Sequence, residues 1–181
     1  MPEWKSFTFG EDGEATPTAE APTPASANPA MEPDEYAAKW GTEVSEVTIA
    51  RIEAVLEGDG LPHGSSEFIA FTQLEDIPFQ VHREPADALW AQIETRILPV
   101  GEGHTEASLQ AIANRWNTEH LQPTVFPIES EDGWILVAAS RFFVGEGLSD
   151  RQIHAMLRRG LIIGVSAAQE VPSFFDEASA E

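Results

Sequence analysis

Val100-Gly101-Glu102-Gly103-His104-Thr105-Glu106 and Val144-Gly145-Glu146-Gly147-Leu148-Ser149-Asp150 are the stretches that decide the fold. Each is a Val-Gly-Glu-Gly turn that follows a β-type run. Each leads into a helical pattern, beginning near Leu109 and near Ile153. A strand–turn–helix unit used twice predicts an α+β domain. Before the first turn, residues 89–100 alternate. Leu89, Ala91, Ile93, Thr95 and Ile97 share one face, and Trp90, Gln92, Glu94 and Arg96 share the other. Residues 77–83 set Phe79 and Val81 opposite Gln80 and His82, and residues 67–73 alternate in the same way. Further upstream, residues 45–56 place Ile49, Ile52, Val55 and Leu56 on one helical face, and Gly58 and Gly60 stop that helix.

Downstream of the first turn, Thr105 is the expected N-cap, with Glu106 complementing the helix dipole. Leu109, Ile112, Ala113 and Trp116 follow at helical spacing, and Leu121 and Pro123 mark the exit. Residues 124–129 and 134–144 read as a hairpin around Glu131-Asp132-Gly133. After the second turn, Ser149 caps, with Gln152 at the acceptor position of a capping box. Ile153, Met156, Leu157, Gly160, Leu161 and Gly164 continue that helix. A helical glycine costs about 1 kcal/mol relative to alanine unless close packing needs it. Gly160 and Gly164 therefore predict close packing against the sheet. The expected order is αβββαββα, with five strands.

The 181 residues suit one domain plus a tail, and 42% hydrophobic residues suffice for one core. A net charge of −21 repels phosphate backbones and anionic membrane surfaces, so neither nucleic acid nor membrane is an expected partner. That charge serves solubility or matches a basic partner. The chain has no cysteine, which removes disulfides, thiolate metal sites and a cysteine nucleophile. Residues 1–10 lack the apolar core of a signal peptide, so the expected location is the cytoplasm. Residues 1–42 read as a disordered acidic Ala/Pro/Thr-rich tail. Pro17, Pro22, Pro24, Pro29 and Pro33 interrupt any helix there. Trp4, Phe7 and Phe9 make either a short docking motif or an untidy terminus. The folded domain is expected at 43–177, with a short tail at 178–181.

Reactive constellations are missing from the pattern. His63, His82, His104, His120 and His154 show no i, i+2 or i, i+4 pair, so no metal site is expected. Ser65, Ser66 and Ser149 lack a nucleophile elbow, and no phosphate loop of Walker type occurs. The glycine pairs Gly101/Gly103 and Gly145/Gly147 each enclose a glutamate, which opposes anion binding at the helix starts. No catalytic residue and no cofactor is expected.

Four motifs carry a family resemblance: Val47-Thr48-Ile49-Ala50-Arg51-Ile52, Asn114-Arg115-Trp116-Asn117, Gly147-Leu148-Ser149-Asp150 and Phe174-Phe175-Asp176-Glu177. Together with the element order they resemble the YbjN family of bacterial sensory transduction regulators, in its actinobacterial branch, over about residues 43–177. The resemblance implies a single α+β domain similar to type III secretion chaperones: a mainly antiparallel sheet with helices on one face. It implies no enzymatic activity and no cofactor. It also implies protein binding, often with dimers. Asn114, Trp116 and Asn117 form its family-like structural motif, in which the indole is expected to fill core and Asn117 to bond backbone at the helix end. Ala167, Ala168 and Pro172 stand where relatives keep bulky residues before the Phe-Phe pair.

With helices on one face, Leu89, Ala91, Ile93 and Ile97 point to them, as do Leu136, Ala138 and Phe142, with Trp134 at the end. The opposite face then presents Trp90, Gln92, Glu94, Arg96, Ile135, Val137 and Arg141. An apolar patch rimmed by charge marks an interface unless further residues cover it. Trp90, Arg96, Ile135, Val137 and Arg141 are therefore the candidate partner-binding residues, for a protein partner or a second copy in a homodimer. The leading reading is a non-catalytic protein-binding or chaperone-like regulator that uses this face or a sheet edge. The alternatives are a small-molecule sensor or enzyme with a pocket between helices and sheet, and an assembly subunit without ligand.

Overall fold

A computed structural model describes residues 7–9, 15–17, 39–83, 85, 87–99 and 103–178. The chain divides into two units, Met1–Asp34 and Glu35–Glu181. In the first, β1 (Phe7–Phe9) pairs antiparallel with β2 (Ala15–Pro17), Phe7 opposite Pro17 and Phe9 opposite Ala15. The sequence reading has no strand here, because three-residue runs among prolines carry no periodicity. Pro17 is tolerated at the end of the ladder, where a missing N–H costs least. Residues 39–42 of the expected tail are corrected: Lys39 pairs with Asp59 and Trp40 packs on the core of the second unit, while the rest of that tail lies outside the described residues.

The second unit contains one six-stranded sheet, in the order β3-β4-β5-β6-β8-β7. Its elements are α1 (Ile49–Gly58), β3 (His63–Ser65), β4 (Ile69–Leu74), β5 (Ile77–His82), β6 (Trp90–Ile97), α2 (Glu106–Glu119), β7 (Thr124–Ser130), β8 (Gly133–Phe143), α3 (Asp150–Glu170) and α4 (Ser173–Ala178). Every neighbouring pair in this sheet is antiparallel. The expected five strands are present as β4 to β8. The count is corrected to six by β3, whose three residues centre on Gly64 and offer no alternation to read. β3 pairs with β4, His63 opposite Thr72. The closing helix α4 also lengthens the expected order.

The helix starts follow the capping rules. Thr48 accepts from the Arg51 amide at 3.3 Å, so α1 begins at Ile49, later than the expected residue 45. Ser45 is instead extended and bridges to Leu148, bonded in both directions. Thr105 with Ser108, and Ser149 with Gln152, close capping boxes at α2 and α3. Gly147, in the second Val-Gly-Glu-Gly turn, has φ of +79°, and an added Cβ there would lie 2.5 Å from the Ser45 carbonyl oxygen. Only glycine meets both conditions. In the first such turn, residues 100–102 lie outside the described residues.

Arg51 joins two of the motifs. Its guanidinium donates to Asp150 Oδ1, to the carbonyls of Ser45 and Glu46, and to that of Leu148, at 2.6–3.0 Å. The segment before α1 is thereby tied to the start of α3. Nearby, His154 Nδ1 meets Asp59 Oδ2 at 2.8 Å, beneath the Trp40 ring.

Two apolar clusters fill the space between helices and sheet. One gathers Ile52, Val55 and Leu56 of α1, Phe79, Val81 and Ile93 of the sheet, and Ile153, Leu157 and Leu161 of α3. The other gathers Leu109, Ile112 and Trp116 of α2 with Val125, Leu136, Val171, Phe174 and Phe175. Each large aliphatic side chain so buried contributes about 1.5–3 kcal/mol. The two α3 glycines do pack closely. A Cβ at Gly160 would lie 2.5 Å from Ile93 Cδ1, and one at Gly164 would lie 2.5 Å from Phe79 Cε1. Ala167 shares the second cluster with Phe174 and Phe175, so the alanine-rich end of α3 still closes a packed C-terminal corner.

Candidate functional site: the outer face of the sheet

Strand register fixes which residues share the face away from the helices. Trp90 lies opposite Phe143, Gln92 opposite Arg141, Glu94 opposite Ala139 and Arg96 opposite Val137. On the flanks, Gln80 and His82 of β5 pair with Glu94 and Gln92, while Thr124, Phe126 and Ile128 of β7 pair with Ala139, Val137 and Ile135. Alternation thus places all of these on one surface.

Two apolar members differ from the sequence expectation. Ile135 is 6% exposed and Val137 is 1% exposed. Val137 is flanked in register by Arg96 and Phe126, and Ile135 lies opposite Ile128 near the β7–β8 turn. A bare patch centred on them is therefore corrected. Leu89 also departs: it precedes β6 and is exposed, not turned to the helices. Apolar surface does reach solvent at Phe71 of β4, which is 40% exposed on this face, and at the other end of β6 and β8. There Trp90 is 53% exposed and Phe143 49% exposed, in edge-to-face contact at 5.5 Å between ring centroids.

Beside the aromatic pair runs a polar row across three strands. Arg141 Nε donates to Gln92 Oε1 at 2.7 Å. Gln92 Nε2 donates to Glu94 Oε2 at 2.5 Å. Glu94 Oε1 lies 3.1 Å from His82 Nε2. Burial pushes the Glu94 carboxyl up, but hydrogen bonds from His82 and Gln92 and the charges of His82 and Arg96 outweigh it, and the group ends below the usual carboxylate range. Glu94 is thus held ionised with both oxygens engaged. Arg141 keeps its two terminal guanidinium nitrogens without a partner among the described residues. Arg96, the remaining candidate, is exposed on the same strand as Glu94, toward the far end.

Two clefts open along this row. One, of about 390 Å³, is lined by His82, Ala88, Trp90, Gln92, Glu94 and Arg141. The other, of about 480 Å³, is lined by Gln92, Leu121, Gln122, Thr124, Phe126, Ala139, Ser140 and Arg141. Gln92 and Arg141 belong to both. Sequence reasoning missed Phe143 and the engagement of His82 with Glu94. Phe143 stands two residues beyond Arg141 and was within reach of the alternation rule. The histidine contact depends on β5–β6 register, which the sequence does not state.

The model of the YbjN family, described as "Putative bacterial sensory transduction regulator", matches residues 48–171. The chain belongs to the YbjN family. The match spans the whole outer face, beginning at the α1 N-cap and ending at Val171. Among solved structures, the chain is similar to E. coli YbjN, titled a putative transcription regulator. That likeness has 14% identity and a TM-score of 0.53, covering 76% of this chain and 96% of that one. It establishes a common fold. A HopA1–SchA chaperone–effector complex structure is also similar, at 11% identity and a TM-score of 0.48, covering 68% of this chain and 91% of that chain. No curated protein sequence matches the chain.

Within this YbjN domain, the Asn114–Asn117 motif serves the sheet edge. Trp116 is buried, and its Nε1 donates to the Pro123 carbonyl at 3.0 Å. Asn117 donates to the Val125 carbonyl at 2.7 Å and accepts from the Val125 amide at 2.8 Å. Its carboxamide thus imitates a neighbouring strand at the free side of β7. Pro127, two residues on, offers no N–H to that side. Asn114 is exposed and accepts from Gln110 Nε2 at 2.9 Å. The β7 edge is therefore closed to strand addition at its centre. No helix among the described residues is long and apolar enough to cross a membrane.

Proposed function

We propose that this YbjN-family chain is a cytoplasmic, non-catalytic regulator that docks a protein partner on the outer face of its sheet. The partner meets Trp90, Phe143 and Arg141, with Arg96 at the far rim. The observation that carries this reading is the half-exposed Trp90–Phe143 pair standing beside an ordered polar row. Aromatic and arginine side chains in such a setting are the residue types that anchor interfaces. The family's description as a regulator supports it. Strand addition is the weaker mode, because Asn117 and Pro127 occupy the β7 edge.

A sensor pocket between helices and sheet is disfavoured by the contact distances at Gly160 and Gly164. Both described clefts open outward instead. A homodimer using the same face is the self-binding form of the proposal, and sedimentation equilibrium distinguishes it.

The test is affinity purification of the full chain from its native cell, compared with Trp90→Ala and with Glu57→Gln on α1. A partner retained by wild type and Glu57→Gln but released by Trp90→Ala supports docking on this face. A partner retained by all three rejects it.

A further inference from the structure

We infer that the outer face takes an acidic segment of a protein partner, with an aromatic side chain on the Trp90–Phe143 pair and a carboxylate on Arg141. The inference rests on the reading of this face as a docking surface and adds the chemistry of what docks.

Charge is the first argument. The chain carries a net −21, yet the outward strand positions of β4 to β8 hold two arginines, Arg96 and Arg141, against one carboxylate, Glu94. A cationic strip on a strongly acidic molecule selects acidic segments locally. The surrounding charge repels any that do not engage it.

The hydrogen bonds are the second argument. Among the described residues, Glu94 is the carboxylate that shares this row with Arg141, and it is turned away, with one oxygen near His82 and the other on Gln92. Gln92 stands between the carboxylate and the guanidinium. Its carbonyl oxygen takes Arg141 Nε and orients the planar group. The terminal nitrogens keep their N–H donors for a ligand, in the fork that matches a carboxylate. Arg141 lines both described clefts.

Spacing is the third argument. Trp90/Phe143 and Gln92/Arg141 are successive same-face pairs, two residues apart along their strands. An extended segment lying along the strands also repeats its facing side chains every two residues, about 7 Å. An aromatic residue at position i and an acid at i+2 fit both subsites at once.

The probes are two acetylated, amidated peptides, (Phe-Ser-Glu-Ser)₂ and (Phe-Ser-Lys-Ser)₂, titrated calorimetrically into the full chain. The Glu peptide is expected to bind, with affinity falling as salt is raised. Arg141→Gln is expected to weaken it at least tenfold while circular dichroism stays unchanged. The Lys peptide is expected to bind at least tenfold more weakly than the Glu peptide. No binding of either peptide, or an unchanged affinity in Arg141→Gln, overturns the inference. Self-association of the free chain that Arg141→Gln abolishes overturns it in favour of a second copy. Equal binding of both peptides, lost in Trp90→Ala, overturns the acidic class and leaves the docking face standing. A native partner that Trp90→Ala fails to release overturns the docking face itself.

Discussion

The two faces of the main sheet are written in alternate residues of the same strands, yet they obey different rules. On the inner face, Phe79, Val81, Ile93, Ile97 and Leu136 are buried against helices whose own glycines come within contact of the sheet. On the outer face, the same strands hold an aromatic pair half open to solvent and a polar row in which Arg141, Gln92 and Glu94 are hydrogen-bonded and His82 lies 3.1 Å from Glu94. That face is closed at Val137 and Ile135. Two surfaces a strand's thickness apart thus separate stability from recognition. A substitution on the first is read by folding, and one at the open end of the second is read by binding.

The comparison breaks first at Trp116. Trp116→Ala removes a buried indole and its bond to Pro123, and is expected to cost about 3–5 kcal/mol in urea unfolding. A cost under about 1 kcal/mol would mean that the second cluster is not a core. Val137→Asp comes next. It lies on the outer face but is buried, so it is expected to destabilise by about 3 kcal/mol through an unpaired buried charge. If it leaves stability unchanged, Val137 is accessible and the original bare-patch reading returns. Trp90→Ala is expected to cost only about 1 kcal/mol, the worth of an aromatic pair, while releasing the partner.

Glu94→Gln sharpens the smallest effect. The folded carboxyl titrates below the ordinary glutamate value of 4.5. Its ionised form therefore adds stability that is present above that value and is lost as pH falls through the folded pKa. Glu94→Gln is expected to flatten the pH dependence of stability below about pH 4.5, measured by denaturant midpoints. An unchanged slope would mean that the row contributes nothing in solution.

Much of the inner face was legible in the sequence. Alternation in residues 77–83 and 90–97, helical spacing at Leu109 to Trp116, and the caps Thr105 and Ser149 are local signals, and each is where it was expected. Gly160 and Gly164 announced close packing because glycine in a helix has no other rationale. The outer face was legible only in part. Trp90, Arg96 and Arg141 follow from alternation. The burial of Ile135 and Val137 depends on what flanks them across strands, and three-residue β3 is too short for any pattern. The row from Arg141 to His82 needs the register of β5 on β6 and of β6 on β8, which is long-range information. Asn117 was expected to bond backbone at the helix end, but its target is Val125 on the free side of β7, which is visible only in three dimensions.

The most direct test of the central claim places a photoreactive benzoylphenylalanine at Phe143 in one chain and at Ile162 in another, with irradiation in the native cell. Phe143 is exposed on the outer face, and Ile162 is 50% exposed on α3, on the helical side. The account predicts a crosslinked protein partner from position 143 and none from position 162. A partner captured at 162 and not at 143 would contradict it.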